Sequence, residues 1–233
     1  MRNLIYLLLL VTLCAAVPSC TTVDAPALPL TAHPDATNWE PLFGEELKGA
    51  KFPTGIWSMT EGVLSANQDQ VIWTKQSYDN YVLDLEFKTA EGTNSGVIVY
   101  CSDRERWVPN SVEIQIADDF SPKWAKSDKS WQCAAIFGHQ PATKSLVKRP
   151  GLWNHYTISC VDHLITVVLN GQVVNVFDMR RYTLAEKNPD GTHPPPWLKT
   201  PKAELETKGY IGLQGKHGKS PVYFRNLSIY ELK

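Results

Sequence analysis

The stretch from Val112 to Ile116 carries the side chains with the clearest chemical potential. Its apolar residues alternate with Glu113 and Gln115. Because successive side chains of a strand point to opposite faces, the carboxylate and the amide share one face and the apolar side chains share the other. A carboxylate on such a polar floor can transfer protons, and an amide beside it can both donate and accept hydrogen bonds. The alternative for Glu113 is that it pairs with an arginine and holds two strands together. The alternative for Gln115 is that it is an ordinary polar residue on a solvated face.

Further acidic and imidazole side chains follow this strand. Asp118 and Asp119 can hold a divalent cation together with water and substrate oxygens, although two acids in a loop are commonly just solvated. His217 lies among glycines after a predicted strand, and its imidazole suits acid or base chemistry near neutral pH unless it is simply a surface histidine. His139, in a long loop, is a similar candidate. A divalent metal is the one cofactor that the sequence leaves open.

Strands rather than helices must position these residues. Tyr81 to Lys88 alternates apolar and polar side chains, as a half-buried strand does, and Val97 to Cys101 is apolar throughout, which suits a strand covered on both faces. The dipeptide Asn170-Gly171 supplies the positive φ angles of a tight hairpin turn. Further strands are predicted at Glu61–Ser65, Val71–Thr74, His155–Cys160, Ile165–Leu169, Gln172–Val174, Tyr210–Gln214 and Val222–Leu232. With one or two helical turns at most, in Thr183 to Asn188, the pattern predicts an all-β sandwich of two sheets.

Three long polar segments interrupt the strands. They are Ser102–Asn110, Phe120–Val147 and Lys187–Thr200, and each carries tryptophan. Long ordered loops on a rigid sandwich are usually functional. A loop tryptophan such as Trp107 can stack on the apolar face of a sugar ring, or it can pin its loop to the core.

The N-terminal residues have the pattern of a secretory signal. Arg2 precedes an apolar run from residue 4 to 16, which is too short for a comfortable membrane span. The small residue Ser19 directly precedes Cys20, and Val17 lies three residues before it. The pattern is similar to a bacterial lipoprotein signal, which implies a lipid on Cys20 and a place in the cell envelope. Thr21 in place of an aspartate favours the outer membrane, and simple secretion with an unmodified thiol is the alternative. The predicted organisation is a signal peptide (1–19), a flexible tether (20–38) and one folded domain (39–233).

Composition limits the partners. The chain has 233 residues and a net charge of −1 with no basic block, so nucleic acid is not an expected partner. Enough residues remain after the signal for one large β-domain with a sizeable core. Cys101, Cys133 and Cys160 lack the spacing of a zinc site and are predicted to be buried free thiols.

Several segments in order along the chain resemble the 3-keto-disaccharide hydrolase family. They are Trp39–Gly44, Trp57–Leu64, Tyr81–Phe87, Asn94–Gly96, Val112–Ile116, Gly151–Asn154, Leu169–Gly171, Gly212–Gln214 and, through His217-Gly218, Phe224–Leu227. The resemblance implies a concanavalin A-like jelly roll of two curved antiparallel sheets with a concave surface that faces carbohydrate. It also implies action on glycosides oxidised at carbon 3 of a glucose unit. The central loops, Lys187 to Thr200 and an insertion at Gly215-Lys216 depart from the family pattern.

The chemistry implied by this resemblance begins at carbon 2 of the oxidised sugar. A ketone at carbon 3 makes the carbon 2 proton acidic, and its removal gives an enediolate that expels the group on carbon 1. Such a reaction needs a base, oxyanion stabilisation and an acid. We predict Glu113 and His217 as catalytic residues, with Arg225 either facing the enediolate or bridging to Glu113. The residues predicted to bind substrate are Asn94, Ser95, Trp107, Gln115, Asp118, His139, Gln214 and Arg225.

Two other functions fit parts of the same pattern. A noncatalytic carbohydrate-binding, lectin-like module of the cell surface would use the same fold. An ordinary glycosidase needs two carboxylates across the scissile bond, and the motif strand offers one. In either case the expected partner is carbohydrate, with membrane contact only through the lipid anchor.

Overall fold

Two antiparallel sheets pack face to face in the computed structural model, which describes residues 38–232. The strands in this part of the chain are β1 (Glu40–Pro41), β2 (Ala50–Lys51), β3 (Trp57–Thr60), β4 (Val63–Ala66), β5 (Ile72–Thr74), β6 (Tyr81–Thr89), β7 (Asn94–Cys101), β8 (Val112–Ala117), β9 (Trp153–Val161), β10 (Leu164–Leu169), β11 (Gln172–Asp178), β12 (Tyr210–Leu213) and β13 (Val222–Glu231). One sheet has the order β11-β10-β9-β6-β13-β4-β3, with β1 also paired to β13, and the other has the order β2-β5-β12-β7-β8. The predicted all-β sandwich of two antiparallel sheets is confirmed.

The alternation of β6 explains why it forms the middle of the larger sheet. Leu83, Leu85 and Phe87 are fully buried against the other sheet, whereas Asp84 and Glu86 are only partly buried on the outer face. β7 in the smaller sheet is buried along nearly its whole length, as its unbroken apolar run predicts. Its inner face meets the sandwich core, and on the outer face Ile98 packs with Trp73 and with Trp107 of a loop.

The hairpin between β10 and β11 forms at the predicted dipeptide. Asn170 and Gly171 have φ angles of 50° and 81°, the left-handed conformation that a two-residue hairpin turn requires. The Asn170 side chain accepts a hydrogen bond from the His155 amide at 3.0 Å and donates to the Leu146 carbonyl oxygen at 2.8 Å. The turn therefore also anchors the end of the long central loop.

The outer edge of β8 is covered by part of that central loop. The amide of Gln115 donates to the Ala135 carbonyl oxygen, and the amides of Ala134 and Phe137 donate to the carbonyl oxygens of Gln115 and Glu113, each at 2.9 Å. An edge strand with unpaired backbone groups would invite pairing with other chains. Here segment 134–137 satisfies those groups and holds the loop against the strand.

The three predicted free thiols are confirmed. Cys101, Cys133 and Cys160 are buried and unpaired by disulfides. Burial raises the pKa of each thiol to about 12. These cysteines therefore act as small apolar core residues rather than as nucleophiles.

The helical prediction is wrong in position. Thr183 to Asn188 contains no helix, because Asn188 turns inward and its side chain bonds to the central loop. The described α-helix is a single turn, α1 (Pro122–Ala125), and 3-10 turns occur at Glu45–Leu47, Lys129–Trp131, Met179–Arg181 and Lys202–Glu204. Within residues 38–232 no helix has the length and apolarity to span a membrane. The predicted signal peptide, Cys20 and nearly all of the tether lie outside the described residues.

Candidate active site

A cavity of about 1020 Å³ opens on the face of the smaller sheet that points away from the core. Its floor includes Asn94, Glu113, Gln115 and Gln214. The three long loops predicted to be functional all contribute to its walls. The residues of these three loops that line it are Arg104, Glu105, Trp107, Val108, Lys123, Trp124, Trp131, Phe137 and Trp197.

Glu113 lies across a glycine of the neighbouring strand. A Cβ atom on Gly96 would stand 2.2 Å from Oε1 and 2.7 Å from Cγ of Glu113, so only glycine leaves room for this carboxylate. The register pairs Gly96 with Gln115 and Ile98 with Glu113. The Glu113 side chain therefore reaches diagonally over β7, where strand geometry brings such neighbours together.

The surroundings of Glu113 favour its protonated form. Burial raises its pKa to about 8, the negative charge of Asp69 adds to the rise, and the positive charge of Lys202 opposes it. A carboxyl group that titrates near neutral pH can either take or give a proton during a reaction.

Gln115 and Asn94 form a hydrogen-bonded pair beside Glu113. The Gln115 amide nitrogen donates to Asn94 Oδ1 at 2.7 Å, and the Gln115 side chain is almost completely buried. The bond fixes the orientation of both amides at the floor of the cavity. As the alternation predicts, Gln115 shares the face of Glu113.

His217 pairs with Asp69, a residue that the sequence does not single out. His217 Nδ1 and Asp69 Oδ2 form a short hydrogen bond, and both side chains are about half exposed at the cavity. Because an ionised carboxylate only accepts, the hydrogen lies on Nδ1, and Nε2 is the nitrogen left for other partners. The Lys216 amide donates to the Gln68 carbonyl oxygen at 3.0 Å, which holds the two loops together.

Aromatic side chains flank the polar floor on two sides. Trp73 and Trp107 meet edge to face with ring centroids 6.4 Å apart. Across the cavity Trp131 lies 5.2 Å from Phe137 and 6.2 Å from Trp197, which is 48% exposed. Such faces provide apolar stacking surfaces for a ligand that also makes hydrogen bonds.

Ser95 and Asp118 do not reach the cavity, which corrects their predicted role in binding. The Ser95 hydroxyl is buried and donates to the Gln214 carbonyl oxygen at 2.8 Å. The two oxygens of Asp118 accept the amides of Gly92 at 2.8 Å and Phe120 at 3.1 Å. Both side chains shape the backbone around the floor.

The predicted metal ligands are also bound to the backbone. Asp119 Oδ1 accepts the Cys133 amide at 2.9 Å, and burial raises the pKa of Asp119 to about 6. Within residues 38–232 no three His, Cys, Asp or Glu side chains are grouped as a metal site. The open possibility of a cation held by Asp118 and Asp119 finds no ligand set in this part of the chain.

His139 and Arg225 are placed elsewhere. His139 is buried behind the cavity, with Nδ1 2.8 Å from Asn188 Oδ1. Arg225 lies on β13 of the other sheet, where Nε and an Nη atom donate to Glu86 at 2.8 and 3.2 Å. The alternative that Arg225 bridges to Glu113 is therefore wrong, because the two residues belong to different sheets.

Lys202 is a second residue that the sequence does not single out. It is 2% exposed, and its ammonium donates to the Ser111 carbonyl oxygen at 2.9 Å, two residues before Glu113. Burial lowers its pKa to about 8, and the charge of Glu113 opposes that shift. A buried lysine needs such partners, because an isolated ammonium is costly to remove from water.

The two packed antiparallel sheets define a jelly-roll sandwich. A Bacillus subtilis protein of unknown function with a galectin-like fold superposes with a TM-score of 0.52 at 12% identity, covering 86% of this chain and 97% of that chain. At this identity the likeness concerns the fold alone.

Residues 35–230 match the family described as the 3-keto-alpha-glucoside-1,2-lyase-like domain, and the chain belongs to that family. A Parabacteroides distasonis structure provisionally described as a glycosyl hydrolase is 53% identical, with a TM-score of 0.82 over 83% of this chain and 99% of that chain. A second, similarly described structure from the same organism is 24% identical, with a TM-score of 0.63 over 88% and 93% of the two chains. No curated protein matches the chain. The family gives the protein a carbohydrate-related role.

Proposed function

We propose that this protein cleaves 3-keto-glycosides, such as 3-keto-disaccharides, by removing the proton next to the ketone. The observation that carries the proposal is one cleft holding a partly buried carboxyl that titrates near neutrality and an imidazole oriented by a carboxylate. Proton abstraction and leaving-group protonation need two such groups. Family membership and the relative provisionally described as a glycosyl hydrolase support the same reaction class.

In the cleavage step Glu113 and His217 each transfer one proton. Ionised Glu113 takes the carbon 2 proton, and the electron pair left behind forms an enediolate with the carbon 3 ketone. Collapse of the enediolate forms a carbon 1–carbon 2 double bond and breaks the bond from carbon 1 to the leaving oxygen. His217 acts in its doubly protonated form, with the Nδ1 hydrogen held by Asp69, and gives that oxygen the proton on Nε2. Water then adds its oxygen to carbon 1 and gives a proton to His217, while protonated Glu113 returns the proton to carbon 2, which yields the free 3-keto sugar and restores both groups.

Residues of the cavity floor and Trp107 hold the sugar. Gln115 and Asn94 offer oriented amide groups to sugar hydroxyls, and Gln214 lies beside them at the floor. Trp107 offers its ring to an apolar sugar face. Asp69, one of the other carboxylates of the cavity, is paired with His217, which supports the ketone route over an ordinary two-carboxylate glycosidase.

Incubation with oxidised disaccharides tests the reaction. We expect 3-keto-trehalose to release glucose and 3-keto-sucrose to release fructose, whereas trehalose and sucrose stay intact because their carbon 2 proton is not acidic. Parallel samples with a chelator decide whether a divalent cation takes part. Binding without release from any oxidised sugar would make the protein a carbohydrate-binding module, and cleavage of unoxidised sugars would make it an ordinary glycosidase.

The pH profile should report the charge of Asp69. Activity through ionised Glu113 rises with pH, with the midpoint of the acid limb at about 8, because protonation of this carboxylate removes the base. Asp69→Asn removes the negative charge that raises the Glu113 pKa, so the acid limb of kcat/KM is expected to move to lower pH. Glu105→Gln, at another cavity carboxylate, is the matched control and should leave the limb in place. An unchanged limb in Asp69→Asn would argue against Glu113 as the titrating base.

We propose further that Cys20 is lipidated and tethers the domain to the cell envelope. The support is the sequence pattern alone, a short apolar run that ends in small residues before Cys20. Cys20→Ala is expected to shift the protein from the membrane fraction to the soluble fraction, as measured by immunoblot after fractionation. Retention of Cys20→Ala in the membrane would contradict the anchor.

A further inference from the structure

Three side-chain amides surround the carboxylate of Glu113 on the floor of the cavity. Gln115 lies directly opposite Gly96 in the register of β7 and β8. Gln214 lies on the other side, where its backbone amide donates to the Gly96 carbonyl oxygen at 2.9 Å. Asn94 precedes Gly96 by two residues and shares its face of β7. Because the Glu113 carboxylate lies over Gly96, each amide is one neighbouring position away from it.

The amide of Asn94 has a fixed orientation that leaves its nitrogen available. Gln115 Nε2 donates to Asn94 Oδ1 at 2.7 Å, so the amide oxygen of Asn94 is directed at the buried Gln115 side chain. Within residues 38–232 neither hydrogen of Asn94 Nδ2 is bonded to another residue, and Asn94 lines the cavity. An amide nitrogen carries two N–H donors. Asn94 therefore offers two positioned donors to a ligand at the floor.

The distance from Asn94 to Glu113 suits two adjacent carbons of a sugar ring. Residues two apart on a strand are about 7 Å apart, at a rise of about 3.3–3.4 Å per residue. A base that takes the carbon 2 proton and a donor to the oxygen on carbon 3 each approach to about 3 Å. The reacting atoms lie between the two groups, which are then several ångströms apart along the floor. A sugar ring placed over Gly96 can therefore meet both Glu113 and Asn94.

Other donors of the cavity are less suited to the same oxygen. The cations of the cavity lining are Lys51, Arg104 and Lys123. The Arg104 guanidinium stacks 4.0 Å from the centre of the Tyr210 ring. Tyr210 pairs with Cys101, which lies about 16 Å along β7 from the glycine beneath the proposed base. Gln214 is closer, but within the described chain its side-chain amide has no partner that fixes its orientation. Asn94 is therefore the preorganised donor beside the base.

We propose that Asn94 is a catalytic residue whose amide nitrogen donates a hydrogen bond to the oxygen on carbon 3 of the oxidised sugar. This role rests on the function proposed above and deepens it. As Glu113 takes the carbon 2 proton, the electron pair of that C–H bond forms a carbon 2–carbon 3 double bond, and the ketone oxygen gains negative charge. A hydrogen bond to an oxyanion is stronger than one to a neutral ketone, so Asn94 stabilises the enediolate more than the bound substrate. The second N–H can still hold a sugar hydroxyl.

Two replacements of Asn94 test this role through turnover. Asn94→Asp keeps an oxygen that accepts Gln115 Nε2 but has no hydrogen in place of the amide N–H groups, and Asn94→Ala removes both. We expect each variant to lower kcat on 3-keto-trehalose by about 10²–10³-fold, the usual cost of one lost oxyanion donor, with a much smaller change in KM. The value of kcat is taken at the maximum of each pH profile, because a new carboxylate also changes the titration of Glu113.

Asn80→Asp is the matched control for these replacements. Asn80 Oδ1 also accepts a hydrogen bond, from the Asp162 amide at 2.7 Å, and Asn80 does not line the cavity. This variant should leave kcat unchanged. Asn94→Asp retains the acceptor for Gln115 and so covers the case in which Asn94→Ala does not fold. An unchanged kcat in folded Asn94→Asp, or a loss confined to KM, would overturn the catalytic role.

A binding measurement tests the ketone contact separately from turnover. Calorimetric titration in the Glu113→Gln background compares 3-keto-trehalose with trehalose. The new carboxylate of Asn94→Asp can accept a hydrogen bond from a hydroxyl but none from a ketone, so binding of the oxidised sugar should weaken about tenfold more than binding of trehalose. Equal weakening of both sugars, or none, would overturn the contact. If the wild type releases no glucose, the proposed function fails, and this titration still decides whether Asn94 binds the ketone oxygen.

Discussion

Glu113→Gln is expected to lower kcat on a 3-keto-disaccharide by about 10²–10⁴-fold, the usual contribution of a positioned general base. Glutamine keeps the shape of the side chain over Gly96 but has no carboxylate to take the carbon 2 proton. Substrate binding should be largely retained, because the amide can still form hydrogen bonds at the floor. Initial rates and calorimetric titration with the same substrate measure the two effects separately.

The matched control for this substitution is Glu105→Gln. Glu105 also lines the cavity but lies exposed on a loop. Its replacement removes one negative charge without removing the proposed base, so kcat should change little. Unchanged release of sugar by Glu113→Gln would exclude Glu113 as the base, and equal losses of binding and turnover would make it a substrate ligand.

Gly96→Ala is expected to inactivate the protein through Glu113. The new methyl group would stand 2.2 Å from Oε1 and 2.7 Å from Cγ of Glu113, so the carboxylate must leave its place over β7. Displacement of a catalytic group by about 1 Å can lower turnover about 10²-fold. The crowding should also reduce the free energy of unfolding by about 1–3 kcal/mol. Rates and urea unfolding measure the two effects.

A double-mutant cycle separates this clash from a general effect of alanine in β7. In Glu113→Ala the clashing atoms Cγ and Oε1 are gone, so adding Gly96→Ala should destabilise the protein less than it does in the wild type. The same loss of stability in both backgrounds would mean that Gly96 is needed for another reason. The position of the Glu113 side chain over β7 would then not explain why residue 96 is glycine.

Local periodicity predicts the part of the site that lies on one strand. The alternation around Glu113 and Gln115 places both on the outer face of β8, because strand side chains alternate whatever the rest of the fold does. The lengths of the three loops also predict that these loops form the walls of the cavity. A sandwich of short strands has few other places for long ordered segments.

Strand periodicity and loop length do not predict residues that reach the site only through tertiary contacts. Asp69 lies in a polar loop between two glutamines, with nothing local to mark it, and only the fold brings it to His217. Lys202 has the sequence features of an ordinary surface lysine, and only the fold buries it against the Ser111 carbonyl oxygen. Asp69 is distinguished by its pairing and Lys202 by its burial. Neither property can be read from the hydrophobic pattern or the composition of the sequence.

The wrong placement of Arg225 has a related cause. Strand patterns predict which face a side chain occupies but not which sheet the strand joins. β13 pairs with β6 and β4 in the larger sheet, so Arg225 meets Glu86 on the outer surface and stacks 4.1 Å from the centre of the Trp153 ring. An arginine in a sheet did find a carboxylate, as base rates favour, but a different one.

The backbone bonds between segment 134–137 and β8 bear on how a ligand enters. The strand that carries Glu113 and the loop that carries Phe137 are tied into one rigid template before any sugar arrives. A ligand therefore binds to a preorganised site, and little conformational entropy of the protein is lost on binding. Selectivity among sugars should accordingly depend on how well each sugar fits the existing shape of the cleft. A sugar that does not fit should bind weakly, because the loop does not move to accommodate it.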